Sequence, residues 1–237
     1  FMGSLVLVGF LYVAFMLIRR DSRQREGVSQ ALWIPVVWVA LALSRPLSMW
    51  LGFGGAEDSL QGSPLDRMVH LALIGGSLVI LWRRRLVLMA IVSGNWPIFL
   101  FYGFFLVSVT WADSPIVSFK RWFKDLGIVF LSLVILTERN FTEAIRAVFV
   151  RCAYILLPLS VIFIRWFPSW GRFYSRHGGQ GEFTGVTTQK NDLGILALIC
   201  GLIFLWDWLE RRRSTPALLG ADRSQRWTLV VMLIVAL

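Results

Sequence analysis

Apolar runs separated by short polar joints organise the 237 residues from end to end. The runs cover residues 1–18, 31–43, 68–82, 96–109, 126–136, 152–164 and 193–209. A bilayer core about 30 Å thick needs roughly 20 apolar residues, since each helical residue advances ~1.5 Å. The shorter runs must therefore recruit flanking Trp, Arg and Pro residues to complete a crossing. This pattern predicts an all-α fold, a polytopic transmembrane helical bundle with about seven full spans. A further run starts near Trp227 and reaches only Leu237, too short to cross as a helix, and reads as a truncated eighth span. Residues 1–237 are thus expected to form a single membrane domain, the N-terminal part of a longer chain. There is no internal repeat, low-complexity tract or soluble linker.

Composition agrees with a bilayer as the solvent. Hydrophobic residues make up 57% and charged residues 16%, where soluble domains average about 45–50% and 25%. The twelve Trp suit the headgroup boundary. The net charge of +10 is scattered between apolar runs and builds no single basic face, which excludes a nucleic-acid partner. It instead sets topology. Joints after the odd-numbered runs carry arginine clusters such as Arg19–Arg20 and Arg83–Arg85 and are more basic than the joints between them. By the positive-inside rule the clusters are cytoplasmic and the N-terminus lies outside. Because Arg19 and Arg20 follow the first run and do not precede it, that run is a span and not a cleaved signal. Cys152 and Cys200 each sit alone in an apolar run, so neither a metal site nor a cofactor is expected.

The segment 115–125, PIVSFKRWFKD, interleaves Phe119, Trp122 and Phe123 with Lys120, Arg121 and Lys124 at helical spacing. It reads either as an interfacial helix facing lipid phosphates or as the charged entry to the next span.

The outer joints are more basic than topology requires. The longest, residues 165–192, gathers Arg165, Arg172, Arg176, His177 and Lys190 with several glycines. Arginine forks match phosphate oxygens, and glycine permits close backbone approach. Gly185, Thr187, Thr188 and Asn191 precede the seventh run, where backbone amides near Gly185 and the positive helix end would face the loop. The alternatives are an anion site or an ordinary solvated connection. His177 is a candidate base, a phosphate contact or a plain loop residue, with Glu182 its nearest acidic partner. Arg45 and Arg67 stand at span ends, where they snorkel, pair with Glu57, Asp58 or Asp66, or serve a ligand. His70 is expected to be a hydrogen-bonded packing residue.

The string from Gly185 through Lys190, Asn191 and Gly194, preceded by Arg172, Tyr174 and Arg176, resembles a motif of the bacterial O-antigen ligase and O-antigen polymerase superfamily. Trp111-Ala-Asp-Ser-Pro115 with Lys120-Arg121-Trp122, and Ser44-Arg45-Pro46 with Gly62-Ser-Pro-Leu-Asp-Arg67, are similar to earlier segments of those proteins. The resemblance implies a metal-independent glycosyltransferase, multi-pass in the bacterial inner membrane and active in lipopolysaccharide biosynthesis. Its donor would be an undecaprenyl-pyrophosphate-linked glycan and its acceptor a lipid or glycan. Arg172, Arg176, Lys190, Asn191 and Gly185 inherit the donor-pyrophosphate role, with His177, Arg45, Arg67 and Arg121 as additional contacts. The acceptor-activating histidine would lie in a later loop, beyond Leu237. Two other classes stay open: a small-solute transporter, and a non-catalytic membrane subunit of a larger assembly.

Overall fold

The structure, a computed structural model, describes residues 2–25, 27–52, 63–174 and 181–214. Its elements are α1 Met2–Gln24, α2 Trp33–Ala42, α3 Leu47–Trp50, α4 Pro64–Arg83, α5 Arg85–Gly94, α6 Trp96–Ser108, α7 Pro115–Leu136, α8 Phe141–Trp166, α9 Pro168–Gly171, β1 Arg172–Phe173, β2 Glu182–Phe183 and α10 Lys190–Ser214. Two-residue β1 and β2 pair antiparallel and are the entire sheet among the described residues. The other described residues lie in helices and in the turns that join them.

Each of the seven apolar runs is helical, but length and composition qualify fewer as crossings. Four helices pass: Met2–Arg23, Pro64–Arg83, Phe141–Trp166 and Lys190–Glu210. A fifth is counted if Val87–Gly94 and Trp96–Trp111, bent by 77°, form one broken span. The apolar stretch Gln30–Ala42 is a shorter helix. α5 has no counterpart in the predicted spans. It begins straight after the C-cap Arg84, and Asn95 marks its break from α6, with Nδ2 donating to Ile91 O at 2.9 Å. The predicted interfacial segment and fifth span are one continuous helix, α7, opened by Pro115. Its first turns carry Lys120, Arg121 and Lys124, and its second half is apolar.

The chain forms two compact units. The first comprises Phe1–Glu26, Val39–Arg45 and Ile145–Leu237; the second comprises Gly27–Trp38 and Pro46–Ala144. In the second unit α4 and α7 run parallel. A Cβ at Gly127 would lie 2.8 Å from Ile74 Cδ1, Leu81 packs with Leu133 and Val134, and Arg84 donates to Thr137 Oγ1 at 3.2 Å. Partner numbers thus rise together along both helices. The lower end is tied by Glu138, which accepts from Ser29 N and Oγ at 3.0 and 2.6 Å and pairs with Arg84 at 2.8 Å.

In the first unit α8 is the central element. The apolar window of α8 is 67% buried, whereas that of α1 is 6% buried. Tyr154 of α8 and Phe204 of α10, both fully buried, meet with ring centroids 5.6 Å apart.

Candidate functional site

The site in the first unit is built on a tight reversal after α8. A Cβ at Gly171 would lie 2.3 Å from the Phe163 carbonyl carbon, so only glycine lets α9 fold back onto α8. The Gly171 carbonyl then accepts from Thr184 N and Gly185 N at 2.9 and 3.1 Å. Gly185 is left-handed at φ 55°, and a Cβ there would lie 2.7 Å from Ser160 Cβ. Val186 N donates to Ser160 Oγ at 3.3 Å, and Thr187 N to Thr184 O at 2.9 Å.

Arg45 completes this turn from the carbonyl side. Its backbone N donates to Val186 O at 3.0 Å. Its Nε reaches Thr187 O at 2.8 Å, and Nη2 reaches Trp170 O, Thr184 Oγ1 and Gly185 O at 2.5, 3.1 and 3.3 Å. Burial draws the Arg45 guanidinium below its ordinary pKa, as desolvation disfavours the charged form. Residues 184–187 are buried, with both donors and acceptors engaged by the protein.

The braced turn delivers the chain to α10. Thr187 Oγ1 donates to Gln189 O at 2.8 Å, and Thr188 Oγ1 to Asp192 Oδ2 at 3.1 Å. Lys190 and Asn191 open the helix, exposed, where the first-turn amides lack intrahelical partners and the helix end is positive. Lys190 Nζ lies 2.6 Å from Glu182 Oε1, with side-chain exposures of 59% and 39%, so the pair is open to solvent. Arg172 donates from Nε to Ile164 O at 3.1 Å and stands over the Phe183 ring, 5.2 Å from its centroid.

The sequence-predicted residues therefore divide by role. Lys190, Asn191 and Arg172 belong to the polar cap of α8 and α10, with Arg172 and Lys190 held by neighbouring residues of β2. Gly185 differs from expectation. Its amide is taken by Gly171 O, and the glycine is required by backbone conformation and by the approach to Ser160. Arg45 likewise serves the turn and not an open pocket. Arg176 and His177 lie outside the described residues, as do Glu57 and Asp58. Arg67 and Arg121 belong to the second unit, exposed on α4 and α7. There Asp66 accepts from Ser48 N and Oγ at 3.0 and 2.6 Å. His70 stands 2.6 Å from Asp66 O and edge-on to Trp38, 4.7 Å between centroids, in the expected packing role.

Sequence reasoning missed a buried knot of charge in the first unit. Asp21 and Asp207 have no solvent exposure. Arg25 joins them, with Nε 2.6 Å from Asp21 Oδ1 and Nη2 2.9 Å from Asp207 Oδ1. Arg151 Nε meets Asp21 Oδ2 at 3.1 Å, and Arg146 Nε lies 3.1 Å from Asp207 Oδ1. That last contact is off the hydrogen-bond direction, so its attraction is Coulombic. Burial alone would lower the Arg25 pKa, but the two carboxylates outweigh it and raise it. Asp21 and Arg25 are a helical i, i+4 pair legible in sequence. Their link to Asp207 is not, because the partners are 182 positions apart.

Among the described residues no group of three or more His, Cys, Asp or Glu side chains is arranged to hold a metal ion. Compared with protein-family models, curated proteins and solved structures, the chain matches none.

Proposed function

We propose that the chain carries the donor side of an inner-membrane glycosyltransferase resembling the O-antigen ligases and polymerases, with an undecaprenyl-pyrophosphate-linked glycan as donor. The observation that carries this reading is the hydrogen-bonded 184–187 turn, which seats Lys190 and Asn191 at the head of a span-length apolar helix. A polyprenyl pyrophosphate has its charge at that boundary and its chain in the bilayer. Lys190 would exchange Glu182 for a phosphate oxygen. Arg172, together with Arg176 and His177 of the same loop, would supply further donors, while Arg45 acts through the turn.

The proposed topology has seven crossings with the N-terminus outside. Two features support it. α4 and α7, its third and fifth spans, run parallel, as odd-numbered spans must. The charge knot joins the end of α1, the start of α8 and the end of α10, segments that the same alternation assigns to the cytoplasmic side. Against a transporter reading, Asp21 and Asp207, the buried acids in the α1 and α10 spans, are clasped by arginines and are poorly suited to loading and releasing a cation.

Binding of undecaprenyl pyrophosphate to the full chain in nanodiscs tests the donor assignment. Arg172→Ala and Lys190→Ala should each weaken binding about ten- to a hundredfold, the scale of one charge-assisted phosphate contact. Unchanged binding by both variants sinks the proposal.

A further inference from the structure

A second basic site lies at the other end of the first unit's peripheral helix. Met16, Arg19, Arg20 and Arg23 line an open surface pocket of about 440 Å³. Their spacing of three, four and seven residues from Met16 puts them on one face of α1. The same face continues into the span through Tyr12, Val8 and Leu5, which are 65%, 64% and 60% exposed. α1 thus presents an apolar track that ends in guanidinium groups. Its acidic residue, Asp21, points elsewhere: it is fully buried between Arg25 and Arg151 and does not cancel the triad.

Topology alone asks only for positive charge after a span, at any position around the helix. Here the charge is gathered above a methionine floor. A phosphodiester on a glycerolipid has the matching form, with anionic oxygens for planar guanidinium forks and acyl chains for the track below. We propose that Arg19, Arg20 and Arg23 form a binding site for an anionic phospholipid, with Met16 beneath the headgroup and the exposed face of α1 along the acyl chain. The occupant is a lipid and not free phosphate, because the track continues the pocket into the apolar span. An apolar protein helix would match the track but set apolar side chains against Arg19 and Arg23. This inference is independent of the glycosyltransferase proposal.

The test is association of spin-labelled phosphatidylglycerol, against labelled phosphatidylcholine, with the full chain in phosphatidylcholine vesicles. Phosphatidylglycerol should be preferred, and Arg19→Gln or Arg23→Gln should each lower the preference ~5-fold, the worth of one basic residue at an anionic surface. Arg23→Gln combined with Ser22→Arg keeps the net charge and the topology signal but moves a cation off the face. It should behave like Arg23→Gln alone. Size exclusion and retained helical circular dichroism confirm that each variant is folded. Four outcomes overturn the site: no preference in the wild type, full preference in the charge-shifted double variant, displacement of the labelled lipid by millimolar inorganic phosphate, or cross-linking of Tyr12→Cys to a second copy in place of lipid contact.

Discussion

Two arginine-centred structures in the first unit solve the same problem by opposite means. In the knot, Arg25 is neutralised by the carboxylates of Asp21 and Asp207. In the turn, Arg45 donates to the oxygens of Trp170, Thr184, Gly185 and Thr187, all of them neutral. The ionic solution raises the guanidinium pKa and the neutral one leaves it lowered. A carboxylate fixes a charge, whereas carbonyl acceptors fix a backbone path. The knot therefore holds helices to one another, and Arg45 holds the shape of a loop.

The strongest way to break this contrast is to remove one acid from the knot. Asp21→Leu leaves buried arginines without their counter-charge and should cost roughly 3–5 kcal/mol, read as a large drop in thermal midpoint in detergent. Adding Arg151→Met should recover a substantial part, because an apolar pair can replace a buried ion pair of similar volume. If the double variant is no more stable than Asp21→Leu, the knot is not acting through charge.

Arg45→Ala should cost less, about 2 kcal/mol, since it strips donors from the oxygens of the turn without stranding a charge. Its signature is local. Amides of Gly185 and Thr187 should exchange faster with deuterium while those of α8 keep their protection. Arg45→Lys should not restore them, because one ammonium cannot reach along the turn as the planar fork does. Uniform loss of protection across the unit would show that Arg45 is part of the general core.

The smallest effect on stability is expected at the exposed Lys190 and Glu182 pair. Glu182→Gln should change stability by under ~1 kcal/mol, yet tighten undecaprenyl pyrophosphate binding several-fold by removing a competing anion from Lys190. Weaker donor binding in Glu182→Gln would place Glu182 among the groups that position the ligand.

What the sequence makes legible follows the range of each interaction. Apolar runs predict helices well, because burial in lipid or core depends on consecutive residues. They predict crossings less well. α7 carries Lys120, Arg121, Lys124 and Asp125 in its first half, and α5 is a ten-residue helix whose arginine-rich start looks like a joint. Gly185 stands out in sequence as a residue needed for conformation or approach, but only the structure shows that Ser160 is what it approaches. The knot and the Arg45 brace are invisible for a simpler reason. Their partners lie 182 and about 140 positions away, and no local pattern joins Asp21 to Asp207 or Arg45 to Gly185.

That separation has a meaning in time. At ~5–20 residues per second, roughly ten to forty seconds of synthesis pass between the appearance of Arg25 and that of Asp207. Over that interval α1 is already inserted, and Arg25 is not stranded, because Asp21 comes from the preceding turn of the same helix. α10 arrives last, bringing Asp207 to Arg25 and Arg146. The second unit closes its ties over shorter stretches, Arg84 to Thr137 across 53 positions and Ser29 to Glu138 across 109. Assembly of the first unit is thus gated by the late insertion of α10, and a ribosome paused before residue 207 would leave it open while the second unit is already complete.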